Sequence, residues 1–497
     1  MMSEMERRHR RPNVLIFMTD QQQEAVTRET HPCRTPHLDR FAREGVRFTH
    51  TYTTMAHCCP SRASFFTGLY PSQHGIHNNV CTATAIQKGL NPGVETFGEK
   101  LKDAGYSMHF SGKWHISAEE NPCDRGWEEL KVTAGKDVFM GAKIDSWRQT
   151  VPQVKHPSER KPGELLRPGW DEYVLYGTTD QSYEEMGDYR VVTKAKERLA
   201  ELKHAEQPWC MYVGVLGPHD PFLIPEKYAA MYDPDEVELP PNYGDSLESK
   251  PRVYQRMRRV WSQLSEREVR ESIAHYWGYC TMVDDLFGDV LEALKQTGQA
   301  DDTLVLFLSD HGESGGAHGL FLKGISPYEE TYRIPCIARW PQGIVNPGRS
   351  VDALVSIMDW APTFMDVAEA GELNAGGAGA SLLPWLRDEP VAPGAWRDAV
   401  FNQCNGVEVY FTQRMVRTDR YKFVYNPVDL DELYDLQEDP YELNNVADDP
   451  VMLPVKTMLY QRMWQEAARS GDRIFNQYPS IAAADIGPAL AIGRVPE

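Results

Sequence analysis

From Asn13 onward the chain repeats one rhythm: a short apolar run, a polar cluster, then a stretch with helical spacing. "NVLIFMTD" is apolar at nearly every position, so it is predicted to be a strand covered on both faces, with Asp20 at its C-terminal end. "PHLDRFAREG" follows with helical spacing and a stop at Gly45, and "VRFTHTYT" reads as another strand. From Pro60 to about Tyr70, proline at a first helical position together with Phe65, Phe66 and Leu69 predicts a short helix. After the helical "VETFGEKLKDAG", the runs "YSMHFSGKWH", "WCMYVGVLGPHDPF" and "DTLVLFLSDHGES" are three more strands, each running into polar residues. One or two helices are predicted from Ser265 to about Gly298. This alternation predicts an α/β fold, a large and mostly parallel central sheet with helices on both faces, whose ligands gather where the strands end.

Two regions break the rhythm. Between about Glu119 and Arg190 the chain is rich in Pro, Gly, Trp and mixed charge; it is too long for an idle loop and is expected to form an insertion over the active site. After "GGAGASLLPWL" come short alternating strands with turns at Asn405-Gly406 and Thr418-Asp419, then a helix near Pro454 to Arg469. The expected division is a flexible start over residues 1–10, a catalytic α/β domain over 11–385, and a smaller C-terminal subdomain, an antiparallel sheet plus helix, over 386–497.

Composition narrows the function classes. A net charge of −20 opposes a phosphate backbone, so no nucleic acid partner is expected, and a small, singly charged substrate suits the surface better than a polyanion. Nine scattered cysteines without a CxxC pair oppose a disulfide framework and a zinc site. No run of about 18 apolar residues occurs, so no membrane span is expected. The basic start lacks the apolar core of a signal peptide, and the expectation is a cytoplasmic enzyme.

The strand ends carry the chemistry: Asp20 with Gln21, Lys113 with His115, His219, and Asp310 with His311, while "GLFLKG" adds Lys323. Carboxylate and amide oxygens with one imidazole suit a divalent cation, and lysines suit an oxyanion beside it. Within "CCPSRASFFTG", Cys58 stands two residues before Pro60, with Ser61 and Arg62 following. This resembles the signature of the formylglycine-dependent sulfatases, a branch of the alkaline phosphatase superfamily. "NVLIFMTDQ", "TPHLDRFAREG", "GKWH", "GPHDPF", "SDHGE", "FLKG" and "ELYDLQEDPYELNN" are similar, in order, to that family's landmarks. Phe66 replaces a usual leucine, and Leu69 stands where arginine often follows the Thr-Gly pair.

The resemblance implies hydrolysis of sulfate monoesters by a formylglycine hydrate made from Cys58 by a separate maturation enzyme, with Cys59 left unmodified. It implies one divalent metal held by Asp20, Gln21, Asp310, His311 and modified residue 58; calcium is the expectation, with manganese or magnesium as alternatives. Arg62 and Lys113 would hold the hydrate, and His115 would take the proton that re-forms the aldehyde. His219 and Lys323 would contact the sulfate, one of them protonating the leaving oxygen, and Lys113 and Asn79 join them as substrate-binding candidates. The alternative is a phosphonate monoester or phosphodiester hydrolase with the same nucleophile. Trp114 is expected in the core or pocket wall, His74 and His77 in a helix or turn, and "ELYDLQEDPYE" in a solvated turn. The apolar tail "SIAAADIGPALAIG" suggests packing on a neighbouring subunit, and hence a homo-oligomer.

Overall fold

The computed structural model describes residues 11–82, 84–132, 156–166, 173–407, 409–473 and 478–490. The expected flexible start, residues 133–155 and 167–172 of the expected insertion, and the tail beyond 490 lie outside them.

Nine strands form the main sheet. At its centre Asn13–Thr19 lies between Thr303–Ser309 and Trp209–Gly214, parallel to both, and Ser107–Gly112 continues the parallel run beyond Trp209–Gly214. On the other side Cys336–Arg339 runs antiparallel to Thr303–Ser309, and Val46–Tyr52 pairs with it and, in parallel, with Arg349–Ser356. Val14 to Met18 are all fully buried, which is why that strand reads as a continuous apolar run. Each large aliphatic side chain there stabilises the fold by about 1.5–3 kcal/mol relative to exposure. Helices cover both faces. The longest, Glu266–Gln296, starts at a reciprocal cap: Ser265 N donates to Glu268 Oε2 at 2.8 Å, and Glu268 N to Ser265 Oγ at 3.3 Å.

The helix expected from Pro60 begins earlier and spans Cys58–Thr67. Pro60 falls in its first turn, where a missing N–H costs no intrahelical bond. Both cysteines of the pair are therefore helical and buried.

At the C-terminal side, Ala399–Cys404, Gln413–Thr418, Tyr421–Tyr425 and Glu432–Asp435 make a four-stranded antiparallel sheet. The helix Leu453–Arg469 packs Leu459, Tyr460, Met463 and Trp464 against Phe401 and Phe423 of that sheet. One expectation is corrected here. The acidic run is not solvated throughout: Glu432 and Glu442 are buried, Glu432 accepting from Tyr254 and Tyr434, and Glu442 pairing with buried Lys422 at 2.7 Å. The described tail packs on its own subdomain, where Ile486 O accepts from Trp464 Nε1 at 2.6 Å and Ile481 and Ala484 join the same apolar cluster. Among the described residues, no helix is long and apolar enough to cross a membrane.

Candidate active site

Because Thr19 and Ser309 are in register, Asp20 and Asp310 emerge side by side where two parallel strands end. Both carboxylates are fully buried, a costly arrangement unless charge and hydrogen bonds compensate. Arg62, also fully buried, supplies both: its Nε donates to Asp310 Oδ2 at 2.7 Å and its Nη2 to Asp20 Oδ2 at 3.2 Å. Arg62 Nη1 is anchored on Tyr212 Oη at 2.8 Å and on the Lys113 carbonyl at 3.2 Å. Lys113 itself pairs with Asp20 Oδ2. Gly112, with φ +98°, lets the chain turn from its strand into Lys113, because a Cβ there would collide with the Gly214 carbonyl.

Cys58 opens its helix beneath these groups, its Sγ 3.2 Å from His311 Nε2 and 3.7 Å from Asp20 Oδ1. Ligand atoms of Asp20, Cys58, Asp310 and His311 all lie within 4.8 Å of one another. Two carboxylates, one imidazole and one thiol in a buried cluster fit a divalent cation. Burial keeps the His311 imidazole below its ordinary range, hence neutral, and the Gly312 carbonyl lies 2.9 Å from its Nδ1. Burial alone would raise Asp20, but Lys113, His219, Arg62 and His311 outweigh it and hold the carboxyl well below the usual range.

On the opposite flank Lys323 Nζ lies 2.7 Å from His219 Nε2 and also donates to Gln21 Oε1. Burial opposes the charge on Lys323, while the fields of Cys58, Asp220 and Asp20 raise it above the usual lysine value. His115 is pushed well down, first by burial and then by Lys113 and Arg62, so it is neutral at pH 7. Asn79 sits behind the helix start, its Oδ1 accepting from Cys59 N at 3.2 Å.

The structure thus brings together Asp20, Gln21, Cys58, Arg62, Lys113, His219, Asp310, His311 and Lys323, with His115 in their field. Asn79 reaches the helix backbone. Asp220 and Glu313 complete the cluster and have no role in the motif reading, although both lie inside quoted motifs. Tyr173, whose Oη donates to Asp220 Oδ2 at 2.7 Å, comes from the irregular region, where no motif marks it.

Comparison with known proteins decides what this arrangement is. A family model described as sulfatase matches residues 12–370. The chain belongs to the sulfatase family. As a sulfatase it is a hydrolase of sulfuric esters, and a second model, the C-terminal part of N-sulphoglucosamine sulphohydrolase, matches residues 316–469. The sulfatase is 30% identical over 91% of its length to an uncharacterized sulfatase, YidJ, of Escherichia coli (strain K12), covering 86% of that relative. It is 29% identical over 88% of its length to choline-sulfatase of Rhizobium meliloti (strain 1021), covering 83% of it. Its fold matches phosphonate monoester hydrolase from Silicibacter pomeroyi with a TM-score of 0.75 at 23% identity, over 94% of this sulfatase and 97% of that chain.

Proposed function

We infer that this sulfatase cleaves a small sulfate monoester, using residue 58 in its formylglycine form and one divalent cation held by Asp20, Asp310, His311 and Gln21. The observation that carries the reading is the buried Cys58 thiol, placed at the start of a helix within 3.2 Å of His311 and 3.7 Å of Asp20. As its hydrate, the modified residue would supply the attacking oxygen, and the cation would neutralise charge on the sulfate. Calcium suits the oxygen donors; manganese suits the imidazole, and magnesium is a further alternative.

The remaining roles follow from this chain's own groups. Arg62 and Lys113 keep positive charge beside residue 58 and fix the carboxylates that would face the cation. His115, neutral at pH 7, is a base that can take a proton from residue 58. Lys323 and His219 bracket the opposite side, and one of them protonates the leaving oxygen, while Lys113 serves the sulfate oxygens. Asn79 orients the helix start through Cys59 N. A net charge of −20 favours a small ester over a sulfated polymer. The separate antiparallel sheet supports a catalytic domain over 11–385 and a C-terminal subdomain over 386–497.

Mass spectrometry of the peptide around Cys58, after co-expression with a formylglycine-generating enzyme, tests the nucleophile. Aldehyde at 58 with aryl sulfate turnover is expected; full turnover with the thiol intact sinks the reading. A second reading, phosphonate monoester or phosphodiester hydrolysis with the same nucleophile, draws on the fold likeness to the phosphonate monoester hydrolase from Silicibacter pomeroyi. Turnover of aryl sulfate against aryl phosphonate ranks the two, and a panel of aryl, choline and monosaccharide sulfates identifies the ester.

A further inference from the structure

Gln21 occupies a conformation and a hydrogen-bonding position that few side chains could share. Its backbone is left-handed, with φ 66°, and is held at both ends: N donates to Asp310 Oδ1 at 3.2 Å, and O accepts from Tyr276 Oη at 2.8 Å. The side-chain amide is equally committed. Nε2 donates to Asp220 Oδ1 at 3.1 Å and to Glu313 Oε2 at 2.5 Å, and Oε1 accepts from Lys323 Nζ. An amide has only two N–H bonds, and both are taken by acids on one side. The oxygen is thereby left to Lys323 Nζ.

The two acids are themselves fixed. Glu313 is fully buried, and its Oε1 accepts from Gly315 N at 2.9 Å and Leu322 N at 2.6 Å, which leaves Oε2 for Gln21. Asp220 Oδ2 accepts from Tyr173 Oη, and its Oδ1 accepts from Gln21 while also lying 3.3 Å from His219 Nδ1 and 3.6 Å from Lys323 Nζ. A carboxylate at position 21 would bring no N–H to these acceptors.

We propose that Asp220 and Glu313 are positioning residues that lock the Gln21 amide with its oxygen toward the metal and anion groups, and that they make an amide, not a carboxylate, the fitting residue at position 21. The proposal rests on the reading that Gln21 completes the cation site. It predicts a polarity swap. In Glu313→Gln the new amide keeps its oxygen on Gly315 N and Leu322 N and turns its NH2 toward Gln21, donor against donor. Gln21 then flips and presents its own NH2 to the site. Adding Gln21→Glu gives the new NH2 a carboxylate to donate to and restores the original charge, with one mismatch left against Asp220 Oδ1.

The test is calorimetric titration of the metal-stripped, full-length protein with Mn2+, read in the unmodified Cys58 form so that no activity is needed. Glu313→Gln is expected to bind Mn2+ about 10- to 100-fold more weakly than wild type. Gln21→Glu with Glu313→Gln is expected to regain part of that loss, the contact with Asp220 staying mismatched, whereas a merely structural role for Glu313 would allow no such rescue. Wild-type affinity in Glu313→Gln, or a double variant no tighter than the single one, overturns the proposal. Should Glu313→Gln not fold, Asp220→Leu removes the other anchor: weaker binding is expected, and unchanged binding overturns the proposal. Asp310→Ala separates the two levels of argument. Mn2+ binding that survives it unchanged overturns the metal reading and the proposal with it, whereas binding lost there and kept in Glu313→Gln overturns the proposal alone.

Discussion

Cys58 has two properties that pull apart in experiment: its side chain is the proposed source of the nucleophile, yet it is small and makes no ion pair. Cys58→Ala is therefore expected to lower aryl sulfate turnover by about 10³-fold or more while leaving the thermal unfolding midpoint nearly unchanged. Arg62 behaves in the opposite way. Its guanidinium compensates two fully buried carboxylates, so Arg62→Ala is expected to cost about 3–5 kcal/mol of stability in urea denaturation, besides removing activity. At this scale much of the site is legible from sequence, because Asp20, Lys113 and Asp310 lie in short motifs where strands end, and Cys58, Arg62 and Lys323 in short motifs on a helix and a loop. Asp220 and Glu313 sat inside quoted motifs and still escaped a role. A carboxylate is read as a ligand, cap or partner only through what it touches, and their shared partner, Gln21, is distant in the chain.

The Cys58–Thr67 helix is buried at every residue, and its packing explains a local departure from the family pattern. Phe66, where leucine is usual, stands against Trp114 with ring centroids 5.0 Å apart, against Phe97 at 5.1 Å and against Tyr212 at 5.3 Å. Tyr212 in turn supports Arg62, so the aromatic cluster braces the site from below. Phe66→Ala is expected to destabilise the protein by about 3–5 kcal/mol, and Phe66→Leu by clearly less, in equilibrium unfolding. Trp114, of the two expected places, takes the core: it is buried in this cluster. The helix start two residues before Pro60 was not legible, since a proline is equally at home anywhere in a first helical turn.

Across the whole molecule, buried charge ties the C-terminal sheet to the short helix Glu329–Tyr332. Lys422, on the C-terminal sheet, is fully buried between Glu329 at 2.8 Å and Glu442 at 2.7 Å. Lys422→Met takes from buried Glu442 its ion-pair partner and leaves half-buried Glu329 with Arg417 at 3.9 Å, and a loss of about 3–5 kcal/mol is expected, measured by urea denaturation. The acidic run that contains Glu442 looked solvated because its cation lies on a different strand, which charge patterning along the chain does not reveal. Solution pH acts on the same scale. Burial holds His31, His50, His77 and His109 down to about 4 from an ordinary 6.5. Between those values the unfolded chain binds more protons than the folded one, so stability falls as pH drops from 6.5 toward 4. Thermal scans at pH 7 and pH 4.5 are expected to show the lower midpoint at pH 4.5, and equal midpoints would refute that assignment.

The pairing of Asn13–Thr19 with Thr303–Ser309 also sets a calendar for synthesis. Thr19 and Ser309 meet across 290 residues, and Asp20 and Asp310 lie immediately beyond them. A growing chain carries Cys58 and Arg62 long before it carries the second carboxylate or Lys323. Until residue 310 has left the ribosome, the first strand lacks its neighbour on one side, and the segment around Cys58 lacks the carboxylate and imidazole that later enclose it. For most of its time as a nascent polypeptide the protein thus holds Cys58 outside the finished cluster, and the segment from residue 310 to 323 shuts it in.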